Sequence, residues 1–109
     1  MSYKCIDIAD SLSLLDDAIQ NTAQVVDIRD PASYENGRIT NAISLNNDNL
    51  ADYIRSTNFN TPIIVCCYHG NSSKSAAEFL SSEGFKDVYS LNGGFTQWQN
   101  EYPDRCEKG

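Results

Sequence analysis

Pro62-Ile63-Ile64-Val65-Cys66-Cys67-Tyr68-His69-Gly70-Asn71-Ser72-Ser73-Lys74 runs from an apolar strand into a polar loop that begins with a cysteine and holds the chain's only histidine. Four apolar residues in a row after a proline, Ile63 to Cys66, have the make-up of a strand covered on both faces, as the central strand of a parallel sheet is. Neighbouring side chains on a strand point to opposite faces. Cys66 therefore reads as core and Cys67 as the entrance to the loop.

Working outward, the same plan of short apolar strand and amphipathic helix recurs. Behind the loop, Ser72 or Ser73 starts a helix that turns Ala76, Ala77, Phe79 and Leu80 inward and ends at Gly84. Asp87 to Leu91 (DVYSL) is a strand. After Gly93-Gly94 a last helix lines up Phe95, Trp98 and Tyr102 and stops before Pro103. On the amino-terminal side, Cys5 to Ile8 is a strand, followed by a helix capped by Asp10 or Ser11 with Leu12, Leu15, Ala18 and Ile19 on one face. Val25 to Ile28 is the next strand, and Asp30-Pro31 opens a helical turn through Tyr34 before Gly37. Ala42 to Leu45 is a third strand, after which Asp48 caps a helix bearing Leu50, Tyr53 and Ile54. Alternating strands and helices predict an α/β fold, a mainly parallel sheet of five strands with helices on both faces. In such sheets ligands bind beyond the carboxyl ends of the strands, where the Cys67 loop falls.

The bulk numbers bound the possibilities. A length of 109 residues suits one domain over 1–109, and 40% hydrophobic with 10% aromatic residues suits a packed core. A net charge of −7 argues against nucleic acid as a partner, which calls for a basic face. It also repels an anionic substrate at long range, so a site for an anion must work locally. No apolar run approaches the roughly 20 residues that span a bilayer, so no membrane partner is expected. The first residues lack the plan of a secretion signal, and a cytoplasmic location with reduced thiols is the expectation. Cys5, Cys66, Cys67 and Cys106 contain no Cys-x-x-Cys pair, so no structural metal is expected.

A cysteine between a strand and a helix has particular chemistry. Loop amides can converge into an anion-binding nest, and the following helix adds unsatisfied N–H groups. A thiol held there has its thiolate favoured and becomes a nucleophile. Gly70 allows the turn, Ser72 and Ser73 offer hydroxyls, and His69 and Lys74 offer positive charge. Taken alone, a cysteine at a strand end is more often inert, and Ser-Ser before a helix is ordinary capping. The combination after the central strand favours chemistry.

The segments Val25 to Asn46 (VVDIRDPASYENGRITNAISLN) and Cys67 to Gln99 (CYHGNSSKSAAEFLSSEGFKDVYSLNGGFTQWQ) resemble a rhodanese domain of the short, single-domain kind. The resemblance implies a five-stranded, largely parallel sheet and Cys67 as the residue that carries sulfur. It implies a thiosulfate sulfurtransferase without metal or organic cofactor: the Cys67 thiolate takes the outer sulfur of thiosulfate, sulfite leaves, and cyanide or a dithiol, carried by a small molecule or a thioredoxin-like protein, removes that sulfur. Tyr68, His69, Gly70, Asn71, Ser72, Ser73 and Lys74 would form the substrate-binding loop. Two departures stand out. Many rhodaneses read Gly-His-Ile-Pro-Gly-Ala where this chain has Gly37 to Ala42 (GRITNA), which predicts a local folding difference. Many also carry arginine in the loop, which bears on substrate preference. One rival is a phosphatase or arsenate reductase of the same fold, whose cysteine loop is longer and closed by an arginine fork; here the cradle Cys67 to Ser72 has no arginine. Another is a binding module without catalysis, which the presence of the cysteine disfavours. Asp27, Arg29 and Asp30 read as a local ion-pair and turn set, and Phe95 and Trp98 as core, with the Gly93-Gly94 turn bordering the site.

Overall fold

The computed structural model of the chain describes residues 3–17 and 22–109. The strands β1 (Lys4–Ile6), β2 (Gln24–Asp27), β4 (Ile43–Ser44), β5 (Ile63–Cys66) and β6 (Val88–Leu91) form one sheet in the order β1-β6-β5-β2-β4. Every pairing in it is parallel. The most apolar strand is the central one, as its composition requires: all four residues of β5 are buried. Its alternation divides the core. Ile64 and Cys66 pack on one face with Val25, Leu91, Phe95 and Trp98, while Ile63 and Val65 pack on the other with Val26, Ala77, Leu80 and Val88.

Helices cover both faces. On the first lie α1 (Ile8–Leu15) and α5 (Gly94–Glu101); on the second lie α3 (Leu50–Ser56) and α4 (Ser72–Ser82). The short α2 (Pro31–Asn36) starts as expected, with Pro31 in its first turn and the Asp30 carboxylate accepting the Ser33 N–H. Two helix starts and one side-chain direction differ from the sequence reading. Helix α1 begins at Ile8, not after Asp10 or Ser11, because the Asp7 carbonyl takes the Ser11 N–H and leaves Ser11 fully buried on the inner face. Ala18 and Ile19, expected on that face, lie outside the described residues. Helix α3 is entered through Asn49 rather than Asp48; the Asn49 side chain accepts the Asn46 N–H and donates to the Ser44 carbonyl, tying helix to strand. Phe79 is 44% exposed rather than inward. The buried stripe of α4 runs through Ser73, Ala77 and Leu80, and Phe79 lies about a third of a turn away from it.

Gly37 to Ala42 does more than lead into a strand. Arg38–Ile39 forms β3, which pairs antiparallel with β7 (Cys106–Glu107) after a 3₁₀ turn at Pro103–Arg105. The chain then turns through Asn41 at φ 68° before the two-residue β4. This small sheet ties the carboxyl end to the middle of the chain.

Candidate active site at the carboxyl end of the central strand

Residues Cys67 to Asn71 connect β5 to α4 at the carboxyl edge of the sheet. Cys67 is 3% exposed, and its Sγ accepts the Gly70 N–H at 3.1 Å and the Ser73 N–H at 3.3 Å. The second donor is one of the N–H groups that a helix leaves unpaired in its first turn, so α4 presents its amino end to the sulfur. Burial alone would disfavour the thiolate. It is outweighed by the Ser73 hydroxyl and by the N–H groups of Ser73, Gly70 and His69, and the Cys67 thiol is held below its ordinary value.

The amides point inward for a reason outside the loop. The Cys67 carbonyl accepts the Phe95 N–H at 2.9 Å, and the Tyr68 carbonyl accepts the Thr96 N–H at 3.0 Å. In a planar trans peptide, C=O and N–H point in opposite directions. Drawing these two carbonyls outward to α5 therefore turns the next N–H groups, those of Tyr68 and His69, toward the sulfur side. Two helix starts build the site: one supplies donors to the sulfur, the other holds the loop carbonyls away from it. Glycine is required where they meet. A Cβ on Gly94, at φ 60°, would lie 2.6 Å from the Cys67 carbonyl oxygen and 2.5 Å from that of Tyr68. Gly70, at φ 95°, lies against the backbone of Leu91 and Gly93 in the same way. The turn expected to border the site is thus clamped to it.

The remaining loop residues fall at the rim. Tyr68, His69, Asn71, Ser72 and Lys74 are exposed, and Ser73 is fully buried. The Tyr68 hydroxyl donates to the Asp30 carboxylate, which also accepts from the Ser33 hydroxyl; both bonds, Tyr68 first, hold the Asp30 carboxyl down at about 2. His69 lies beside Tyr68, with ring centroids 6.5 Å apart. The Lys74 side chain makes no ion pair with any described residue. Asp27 and Arg29 pair with each other below the loop, Nη2 to Oδ2 at 2.7 Å, both buried. Arg29 also donates to the Gly37 carbonyl and lies over the Phe95 ring at 4.3 Å. Its Nε and Nη2 donors are engaged with the protein. Grooves flank the cradle: one of about 270 Å³ lined by Arg29, Ser33, Tyr68, Phe95 and Thr96, and one of about 520 Å³ lined by Ile28, Leu45, Leu50, Ala76 and Phe79.

One contributor was missed by sequence reasoning. Ser90, fully buried in β6, has its hydroxyl 2.7 Å from that of Ser73. The signal available was a serine on the inward-facing side of an otherwise apolar strand, two residues from buried Val88.

Residues 11–101 match the model of the rhodanese-like domain. The chain is 44% identical over 108 residues, 99% of its length and all of the other's, to "Thiosulfate sulfurtransferase GlpE" of Pseudoalteromonas translucida (strain TAC 125). It is 54% identical over 87 residues, 80% of each chain, to the protein of the same name from Pseudomonas fluorescens (strain SBW25). Among solved structures, the Alr3790 protein of Anabaena sp. superposes with a TM-score of 0.81 at 25% identity, over 94% of this chain and 80% of that one. The chain belongs to the rhodanese family, and its resemblance to the GlpE proteins extends over nearly its full length.

Proposed function

We propose that the protein is a thiosulfate sulfurtransferase in which Cys67 carries the transferred sulfur. The observation that supports this best is a cysteine sulfur already accepting two backbone N–H bonds, from Gly70 and Ser73, with its thiol held below the ordinary value. The name and identity of its GlpE relatives point the same way. The 109 residues are read as one rhodanese domain.

The Cys67 thiolate attacks the outer sulfur of thiosulfate. The S–S bond of thiosulfate breaks, sulfite departs with the electron pair, and a Cys67 persulfide remains. Cyanide, or a thiol of a small dithiol or thioredoxin-like protein, then attacks the outer sulfur of that persulfide, and the Cys67 thiolate leaves. Negative charge passes through the cradle in both halves, where fixed N–H donors stabilise it without rearrangement. Because Cys67 is 3% exposed, a substrate that presents one terminal atom is favoured over a bulky ester. Among the described residues, the arginine beside the site, Arg29, is bonded to Asp27 and Gly37, so no free guanidinium clamps a tetrahedral oxyanion as a phosphatase would need. Tyr68, His69 and Lys74 at the rim meet the arriving anion. A reducing, cytoplasmic setting suits the free thiols.

Intact-mass spectrometry after incubation with thiosulfate tests the reading. One added sulfur atom, localised to Cys67 and removed by cyanide as thiocyanate, is the expected result. Its rate climbs with pH and levels off below the pH at which an ordinary thiol ionises. Absence of the added sulfur, together with hydrolysis of an aryl phosphate, would establish the phosphatase reading instead.

A further inference from the structure

We propose that Asp30, helped by Ser33, is a positioning residue for this site: it ties the Tyr68 side chain down at the start of α2 and keeps the ring clear of the Cys67 sulfur. The tether is made of direct bonds. The Tyr68 hydroxyl donates to Asp30 Oδ1, and the Ser33 hydroxyl donates to the same oxygen at 2.9 Å. The Ser33 N–H donates to Oδ2 at 3.1 Å, and the Ser33 and Tyr68 hydroxyl oxygens lie 2.7 Å apart. An ionised carboxylate only accepts, so both hydroxyl protons turn to it, and bonds to a charged acceptor are the strong kind. With its carboxyl held down at about 2, Asp30 is that acceptor throughout the neutral range.

The direction of the tether gives it a role. Asp27 and Cys66 are register partners, so Asp30 and Tyr68 follow the ends of the neighbouring strands β2 and β5. The ring reaches sideways to the β2 side, where its centroid lies 5.7 Å from the Arg29 guanidinium carbon. The donors of the sulfur lie on the other flank. Gly70, which gives its N–H to Cys67 Sγ, lies against Leu91 and Gly93 at the end of β6. Strand β5 stands between β6 and β2, so ring and sulfur donors occupy opposite sides of the loop. The Tyr68 backbone is already fixed by its carbonyl bond to Thr96, which leaves only the side chain to move. A side chain has three staggered χ1 wells, and the tether selects one. Released, the ring turns back over the mouth of the cradle, and Cys67 is 3% exposed with little room to spare. What passes that mouth, thiosulfate first and the acceptor after it, rests on the sulfur-transfer reading; the tether itself does not.

The test is the pH profile of Cys67 alkylation by iodoacetamide, an uncharged probe, followed by mass spectrometry of the Cys67 peptide. Wild type is compared with Tyr68→Phe, Asp30→Ala, and Asp30→Ala combined with Tyr68→Ala. Tyr68→Phe keeps the ring, every charge and the Asp30 cap on α2, and removes only the hydroxyl anchor. Spread over three wells, the free ring spends about a third of its time in the tethered one. A reagent admitted only then reacts about threefold more slowly. The plateau of the Tyr68→Phe profile is therefore expected to fall about threefold. Its inflection stays in place, because the Gly70 and Ser73 N–H groups still meet the sulfur. Asp30→Ala lowers the plateau in the same way, and removing the ring in the double variant restores it at least to the wild-type level. A loss that came only from the missing α2 cap would persist in that double variant. A wild-type plateau in Tyr68→Phe, or an Asp30→Ala loss that survives removal of the ring, overturns the proposal. Alkylation needs no sulfur substrate, so a wild-type protein that gains no sulfur from thiosulfate would refute the functional reading and leave this test intact.

Discussion

Cys66 and Cys67 are consecutive residues with opposite chemistry. Cys66 is the last residue of the central strand, packed in one core cluster with Val25, Ile64, Leu91 and Trp98, and its thiol donates to the Cys67 carbonyl at 3.5 Å. Burial, with the nearby Asp27 carboxylate adding to it, pushes its thiol far up, and it stays protonated. Cys67 is nearly as buried, yet its thiol moves down. Surface exposure alone therefore does not separate them. The difference lies in donors: one sulfur faces apolar side chains, the other faces N–H groups and a hydroxyl. The peptide planes that carry those donors are held in turn by α5.

The strongest way to break this comparison is to exchange the roles. Cys67→Ser should abolish persulfide formation, because a hydroxyl at that position neither ionises near neutral pH nor holds sulfur. Cys66→Ala should keep most of the activity and lose about 1–2 kcal/mol of stability from the deleted sulfur in a packed core. Parallel activity assays and thermal melts decide it. Equal loss of activity in both variants, with folding intact, would refute the division of labour.

A smaller effect is expected at Gly94. Alanine there must shift the carbonyls of Cys67 and Tyr68, which a Cβ would approach to 2.6 and 2.5 Å. Those carbonyls orient the amides, so Gly94→Ala should slow persulfide formation by about ten- to a hundredfold. It should also raise the pH at which Cys67 is alkylated, making it behave more like Cys66. Strain at positive φ adds a stability loss of about 1–2 kcal/mol. Wild-type kinetics in a folded Gly94→Ala protein would mean that the amides need no such bracing.

The central strand and the cradle were legible because they rest on local rules. Four apolar residues mark β5, the pleat sends adjacent cysteines to opposite faces, and a polar loop before a helix makes a nest. What escaped depends on contacts distant in sequence. Strands β3 and β7 are two residues each and pair Arg38 with Glu107, a match that no periodicity over two residues can signal. The bonds from Phe95 and Thr96 to the loop carbonyls join segments nearly thirty residues apart, so Gly93-Gly94 read as a turn beside the site while its bracing of the loop remained hidden. Ser73 appeared as a helix-start hydroxyl open to ligand; its burial against Ser90 arises only once α4 lies on β6. Phe79 was read as inward because every apolar residue of the helix was assigned to one face, although the stripe centred on Ala77 excludes it.

The mildest prediction separates fixed dipoles from mobile charge. If the contrast between the two cysteines is built from backbone donors, cations at the rim should tune the arrival of the anion and leave the thiol itself unchanged. Lys74 is the test residue: it is exposed, lies in the first turn of α4, and makes no ion pair with any described residue. A cation there opposes the helix dipole, so its position has no structural benefit to explain it. With a net charge of −7 repelling thiosulfate at long range, a lysine beside the cradle offsets that field where the anion lands. Lys74→Ala should lower the second-order rate with thiosulfate by about two- to threefold at low salt, and Lys74→Glu by more. The three proteins should converge as ionic strength rises toward about 1 M, where screening acts within about 3 Å. The alkylation profile of Cys67 should hardly differ among them. A shift of that profile in Lys74→Ala as large as the one in Gly94→Ala would show that side-chain charge, rather than the amide cradle, sets the sulfur apart. Identical low-salt rates in all three would leave the cradle amides and His69 as the whole of the anion site.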